Sequence, residues 1–196
     1  MPLRDRVRDL LLGDGPSHPA GPAEARSVNL LGLRVPTIVT VALLLLMRED
    51  PRRYGLRLGD VRRGVVLLAA ATALTVPVLV LVARIPELRD WYSPSMTTVP
   101  DVALTSVMDL LPSEFLLRGF LLFALVRAVG PVGVLVAVVP FAAIHVGKPD
   151  LETISMLGGG VVFGWLNWRT GSIWYSGLYH VTIQTTVIVA AAAAAG

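Results

Sequence analysis

From residue 28 to the C-terminal alanines, long apolar runs alternate with short polar breaks, and the breaks define the elements. A first membrane span is predicted over residues 28–47, with Pro36 tolerable inside a bundle. An Arg-rich loop follows, carrying Arg48, Arg52, Arg53, Arg57, Arg62 and Arg63. A second span is expected over residues 64–85, then a loop over 86–100 in which Arg89 is the single base. Trp91 and Tyr92 in that loop suit an interfacial aromatic belt. Residues 102–111 are apolar but too short to span alone, and this segment is expected to stop near Pro112. Helices are then predicted over 113–129, 132–145, 151–168 and from 172 into the alanine tail. They are separated by Gly130-Pro131, Gly147-Lys148-Pro149 and the turn Arg169-Thr170-Gly171.

The fold class is therefore all-α: a polytopic bundle of six or seven membrane-embedded helices. Several are short or broken, and such helices line a polar cavity more readily than they face lipid. Residues 1–27, with alternating Arg and Asp and a Pro/Gly-rich stretch, read as a charged tail without a signal-peptide apolar region. Residues 28–196 read as one transmembrane domain. Gly160 and Gly164, helped by Gly158 and Gly159, predict close helix packing. Positive-inside topology puts loop 48–63 in the cytoplasm and loop 86–100 outside. Counting crossings from there, with a turn at Pro112, places Pro112 and Lys148 on the cytoplasmic side. The same count starts the last helix from the opposite side.

Composition agrees. Of 196 residues, 54% are hydrophobic and only 16% charged, which excludes an ordinary water-soluble domain. The net charge of +3 comes almost entirely from arginines that topology explains, so no nucleic-acid partner is expected. The chain has no cysteine, which excludes disulfides and thiolate chemistry.

Three pairs of polar or aromatic residues stand out within the apolar helices: Glu114 with Arg118, Phe141 with His145, and His180 with Gln184. Each pair is four positions apart, on one helix face. A charge at the bilayer centre costs at least about 2.5 kcal/mol, so these groups need partners or a function. Glu114 and Arg118 form an intrahelical ion pair or part of a reaction centre. Their two imidazoles, carboxylate, amide and guanidinium, if they converge in one cavity, could bind a metal, or activate a water and hold an oxyanion. Imidazole and carboxylate suit zinc, with His145, His180 and Glu114 as the ligands available, although no H-E-x-x-H helix is present.

In order and spacing, the three pairs resemble the CPBP family (Abi, or CAAX-protease-like), whose pattern is E-E-x-x-x-R, F-x-x-x-H and H-x-x-x-N. The resemblance covers residues 102–186. It implies a bacterial intramembrane metalloendopeptidase in the cell membrane. It further implies a peptide or membrane-protein tail, prenylated in some members, as substrate. By position, His145 would polarise the water, His180 and Gln184 would stabilise the oxyanion, and Arg118 would orient Glu114. Two positions depart. Gln184 replaces Asn, and Ser113 stands where the family has its general base, a role a hydroxyl cannot fill near neutral pH. Glu152, at the head of the next helix, is the favoured replacement base, with Glu114 second. The alternative is a catalytically impaired pseudoprotease that binds a peptide, a lipid or a protein partner.

Overall fold

The computed structural model describes residues 38–39, 42–46 and 50–196. The expected tail and most of the expected first span lie outside the described residues; 38–39 and 42–46 are helical. Residues 61–195 fold into seven α-helices. These are α1 (Val61–Val82), α2 (Pro86–Tyr92), α3 (Val99–Glu114), α4 (Leu122–Val129), α5 (Val132–Ala143), α6 (Asp150–Thr170) and α7 (Trp174–Ala195). Short 3-10 turns occupy Pro51–Tyr54 and Ser93–Ser95, and no β-strand forms among the described residues. The protein is all-α, as the hydropathy pattern requires.

Local signals set the helix ends. The Asp60 carboxylate accepts from the Arg63 N–H at 3.0 Å and starts α1. Thr98 caps α3 through the Asp101 N–H. Gly171, at φ +67°, closes α6 in the left-handed region where glycine is favoured. The α6 N-terminus is capped from another helix: the Asp150 N–H donates to Glu87 of α2 at 3.0 Å.

α1 and α7 are long and apolar enough to cross a membrane. Val65, Val66, Leu74, Val78, Val80 and Leu81 of α1 are exposed. An apolar belt of that size facing outward requires lipid rather than water. The protein is an integral membrane protein.

Three expectations change. Loop 86–100 is not irregular: it folds as α2 and a 3-10 turn, and Leu88 and Tyr92 pack with Ala83, Val102, Val187, Ile188 and Ala191. The helix containing Pro112 does not stop there. α3 continues through a seven-residue π-helical segment, Phe115–Leu121, directly into α4. Proline removes one N–H, but the wider π register that follows keeps the backbone hydrogen-bonded and the chain helical. Residues 99–129 are therefore one crossing, not two.

Removing that crossing reverses the placement of everything downstream. The start of α7 lies beside the start of α1. The Asp60 N–H donates to the Thr170 carbonyl at 2.9 Å, and the Tyr175 hydroxyl donates to the Leu58 carbonyl at 2.9 Å. Arg127, near the end of α4, donates to the Arg53 carbonyl at 3.1 Å. These segments share the Arg-rich end of the bundle. Lys148 and the start of α6 lie toward the other end, against α2. α5 has only twelve residues, a rise of roughly 18 Å. Starting from the Arg-rich end, it stops at mid-depth and leaves His145, just past its C-terminus, inside the bundle.

The α5–α6 contact follows the expected small-residue step. A side chain at Gly160 would meet Phe141 and Val138 at 3.0–3.1 Å, and one at Gly164 would meet Val134 at 3.0 Å. Gly158 faces open space and plays no part in it.

The cysteine-free chain allows a direct test of this topology. Single substitutions Leu58→Cys and Arg169→Cys should label with an impermeant maleimide from the same face of a sealed vesicle. Thr97→Cys and Asp150→Cys should label from the other face. Arg169→Cys labelling opposite to Leu58→Cys would restore the turn at Pro112.

Candidate active site

Glu114 is the last residue of α3 and is 1% exposed. Its carboxylate accepts from three donors on two segments. Arg118, within the π-helical segment, donates through Nη1 at 2.5 Å. From α7, Ser176 donates to the second oxygen at 2.8 Å, and His180 Nδ1 bonds the first oxygen at 2.8 Å. The sequence pairing of Glu114 with Arg118 is thus real, but the ion pair is the base of a larger network. A buried ion pair is tolerable only when further hydrogen bonds satisfy its remaining atoms, and Ser176 and His180 provide them.

The Arg118 guanidinium lies over two rings, 3.8 Å from the Phe141 centroid and 4.4 Å from that of Phe163. Its flat, weakly hydrated cation is suited to such stacking. Its Nη2 has no hydrogen-bond partner among the described residues. The same two rings carry the imidazoles. His145 packs edge-on against Phe141 at 4.8 Å. His180 lies 6.1 Å from Phe141 and 5.0 Å from Phe163. The Phe141 and Phe163 pair thus brings the first, second and third sequence clusters together.

Both histidines have one ring nitrogen committed. The partner of His145 Nδ1 is the Phe141 carbonyl, at 2.8 Å; a carbonyl can only accept, so Nδ1 carries the proton. The His180 Nδ1–H points at a carboxylate in the same way. In each neutral ring the Nε2 lone pair is left over. Both histidines line a cavity of about 400 Å³ between α1, α2, α6 and α7. Gln184, one turn beyond His180, lines it too. Most of the wall is apolar, including Val78, Leu79, Val82 and Ile183.

Residues 95–186 match the family described as type II CAAX prenyl endopeptidase Rce1-like. The match covers a little under half of the chain, so it is a similarity over that segment. No curated protein and no solved structure matches the chain. The match contains all three clusters, so the resemblance seen in the motifs holds.

Against the Rce1-like pattern, the Ser113 position supplies nothing to the cavity. Its hydroxyl donates back to the Asp109 carbonyl one turn earlier at 3.2 Å. Glu152, the favoured replacement, does line the cavity with both histidines. It is already engaged: the Tyr92 hydroxyl donates to one oxygen at 2.5 Å and Lys148 to the other at 2.8 Å.

The residues expected to hold zinc do not form a ligand set. No group of three or more His, Asp or Glu side chains among the described residues is arranged around a metal position. Glu114 gives its oxygens to Arg118, Ser176 and His180, and a guanidinium at hydrogen-bond distance repels a cation.

Sequence reasoning missed Ser176 and Phe163. Ser176 had a signal, since it precedes His180 by one helical turn and shares its face. Phe163, in the middle of α6, had none: its role comes only from α6 packing across Phe141.

Truncating one partner of the buried pair leaves the other charge uncompensated. Arg118→Ala should therefore destabilise the protein by about 3–5 kcal/mol, read from detergent-solubilised unfolding. The double variant Glu114→Leu/Arg118→Met should lose markedly less. Equal losses in the two would show that packing, not charge, dominates this site.

Proposed function

We propose that this chain is a water-dependent intramembrane endopeptidase in which His180, oriented by Glu114, is the general base. The observation carrying this reading is the 2.8 Å contact of His180 Nδ1 with a carboxylate that is itself buried and fixed, while the ring faces the cavity. A carboxylate that holds Nδ1–H fixes the tautomer, aims Nε2 and stabilises the imidazolium formed when it takes a proton. The family's base position is Ser113, and neither Glu114 nor Glu152 is uncommitted, so His180 is the basic group best prepared for the task.

A water held at His180 Nε2 attacks the scissile carbonyl carbon and gives its proton to that nitrogen. The Gln184 amide N–H, one turn away on the same face, donates to the developing oxyanion. His145 Nε2 is a second acceptor for orienting the water. Collapse of the tetrahedral intermediate breaks the C–N bond, and His180 returns its proton to the leaving amine. The apolar wall of Val78, Leu79, Val82 and Ile183 takes the apolar part of the substrate, a hydrophobic side chain or a prenyl-like group on a protein tail.

The second reading, a non-catalytic peptide- or lipid-binding protein, draws on the Ser113 hydroxyl being turned back onto its own helix. Purified protein incubated with prenylated and unprenylated reporter peptides, with products read by mass spectrometry, separates the two. His180→Ala should lower the rate by about 10²–10⁴-fold, the usual worth of a general base. Ser113→Ala should leave it within about twofold, because only a backbone contact is lost. If the wild type is inert and Ser113→Glu cleaves, the pseudoprotease reading stands.

A further inference from the structure

At the Arg-rich end, away from the active site, Arg52, Arg53, Arg57 and Arg127 line an open concavity of about 860 Å³, with Leu58 and Phe123 in its wall. We propose that this concavity binds the phosphate headgroup of an anionic membrane lipid.

Two of the arginines are fixed rather than waving in solvent. Arg57 donates through Nε to the Gly171 carbonyl at 3.1 Å. Arg127 donates through Nη1 to the Arg53 carbonyl at 3.1 Å, and its guanidinium lies 4.6 Å from the Tyr54 ring centroid. Each uses one N–H on a neutral carbonyl, which leaves the remaining donors of a five-donor fork available. No carboxylate among the described residues forms an ion pair with Arg52, Arg57 or Arg127. Asp50, the one acid lining the concavity among the described residues, accepts the Arg52 backbone N–H instead. Several like charges converging on one hollow repel each other unless an anion joins them, and planar guanidinium forks match phosphate oxygens bidentately.

Position makes the anion a lipid. The concavity sits where both candidate spans begin: Val61 starts α1 three residues beyond Leu58, and Trp174 starts α7 three residues beyond Gly171, the partner of Arg57. That is headgroup level for helices that cross the bilayer. Leu58 is 65% exposed there, an apolar residue beside guanidiniums, which suits a ligand with a phosphate at one end and acyl chains at the other. Basic pockets at the membrane surface between transmembrane helices recognise such lipids.

The test uses the full chain in neutral detergent, with native mass spectrometry after addition of phosphatidylglycerol, phosphatidylcholine or inorganic phosphate. The expected result is one retained phosphatidylglycerol per chain, with phosphatidylcholine retained weakly and free phosphate unable to displace the lipid. Arg52→Gln, whose side chain makes no hydrogen bond or ion pair among the described residues, and Arg57→Gln/Arg127→Gln should each cut retention, the double variant by roughly tenfold or more. Arg89→Gln, at the other end of the bundle, should leave it unchanged. Equal retention of the two lipids, displacement by inorganic phosphate, or undiminished retention in Arg52→Gln together with the double variant would each overturn the proposal.

Discussion

The buried carboxylate of Glu114 is the interaction around which the rest of the molecule is arranged. An anion at 1% exposure is stable in a membrane protein only if donors surround it on every side. Here they come from Arg118 on its own continuous helix and from Ser176 and His180 on α7. The charge that balances it, Arg118, is spread over the faces of Phe141 and Phe163, which belong to α5 and α6. One ion pair thereby ties together the four helical segments that carry the candidate site, and His180 is also a structural ligand of that pair.

The π-helical segment and the short α5 follow from the same demand. The wider register of Phe115–Leu121 spans the point where Arg118 must meet Glu114 while Phe115 and Gly119 are also buried. α-Helices rarely sustain such a segment without a local reason, and such segments cluster at functional sites. α5 stops after three turns, so the chain enters an irregular stretch at mid-depth with His145 buried in it. Irregular backbone at that depth is tolerated because it lines a cavity rather than lipid. The outcome is a pocket that sets two imidazoles, an amide and the Lys148–Glu152 pair into walls that are mostly apolar. A membrane-embedded hydrolase needs that combination: access for water at one end and affinity for a hydrophobic substrate along the rest.

Much of this was legible in the sequence because membrane burial makes polar residues expensive and therefore informative. Glu114, Arg118, His145, His180 and Gln184 were all visible as four-residue pairs in apolar helices, and the structure gathers them around one cavity and its foundation. What failed was Pro112. Proline ends helices in water, but inside a bundle a change of register can keep the backbone satisfied, and nothing in the local sequence announces a π turn. That one error added a crossing and inverted the placement of Lys148 and the start of α7. The engagement of Glu152 by Tyr92 was equally hidden, since α2 reads as an irregular loop and its contact with α6 is tertiary. Ser113 was correctly seen as a departure, yet only the structure shows its hydroxyl turned back onto Asp109.

The proposed hydrolysis requires Glu114 to hold His180 with Nδ1 protonated and Nε2 free to take a proton from water. Nitrogen-15 NMR of histidine-labelled protein in detergent, with the His180 signals assigned by their loss in His180→Ala, reads that state directly. Near neutral pH the wild type should show a protonated Nδ1 and an unprotonated Nε2, with this preference lost in Glu114→Gln. A His180 ring protonated at Nε2 alone, or a tautomer indifferent to Glu114→Gln, would contradict it.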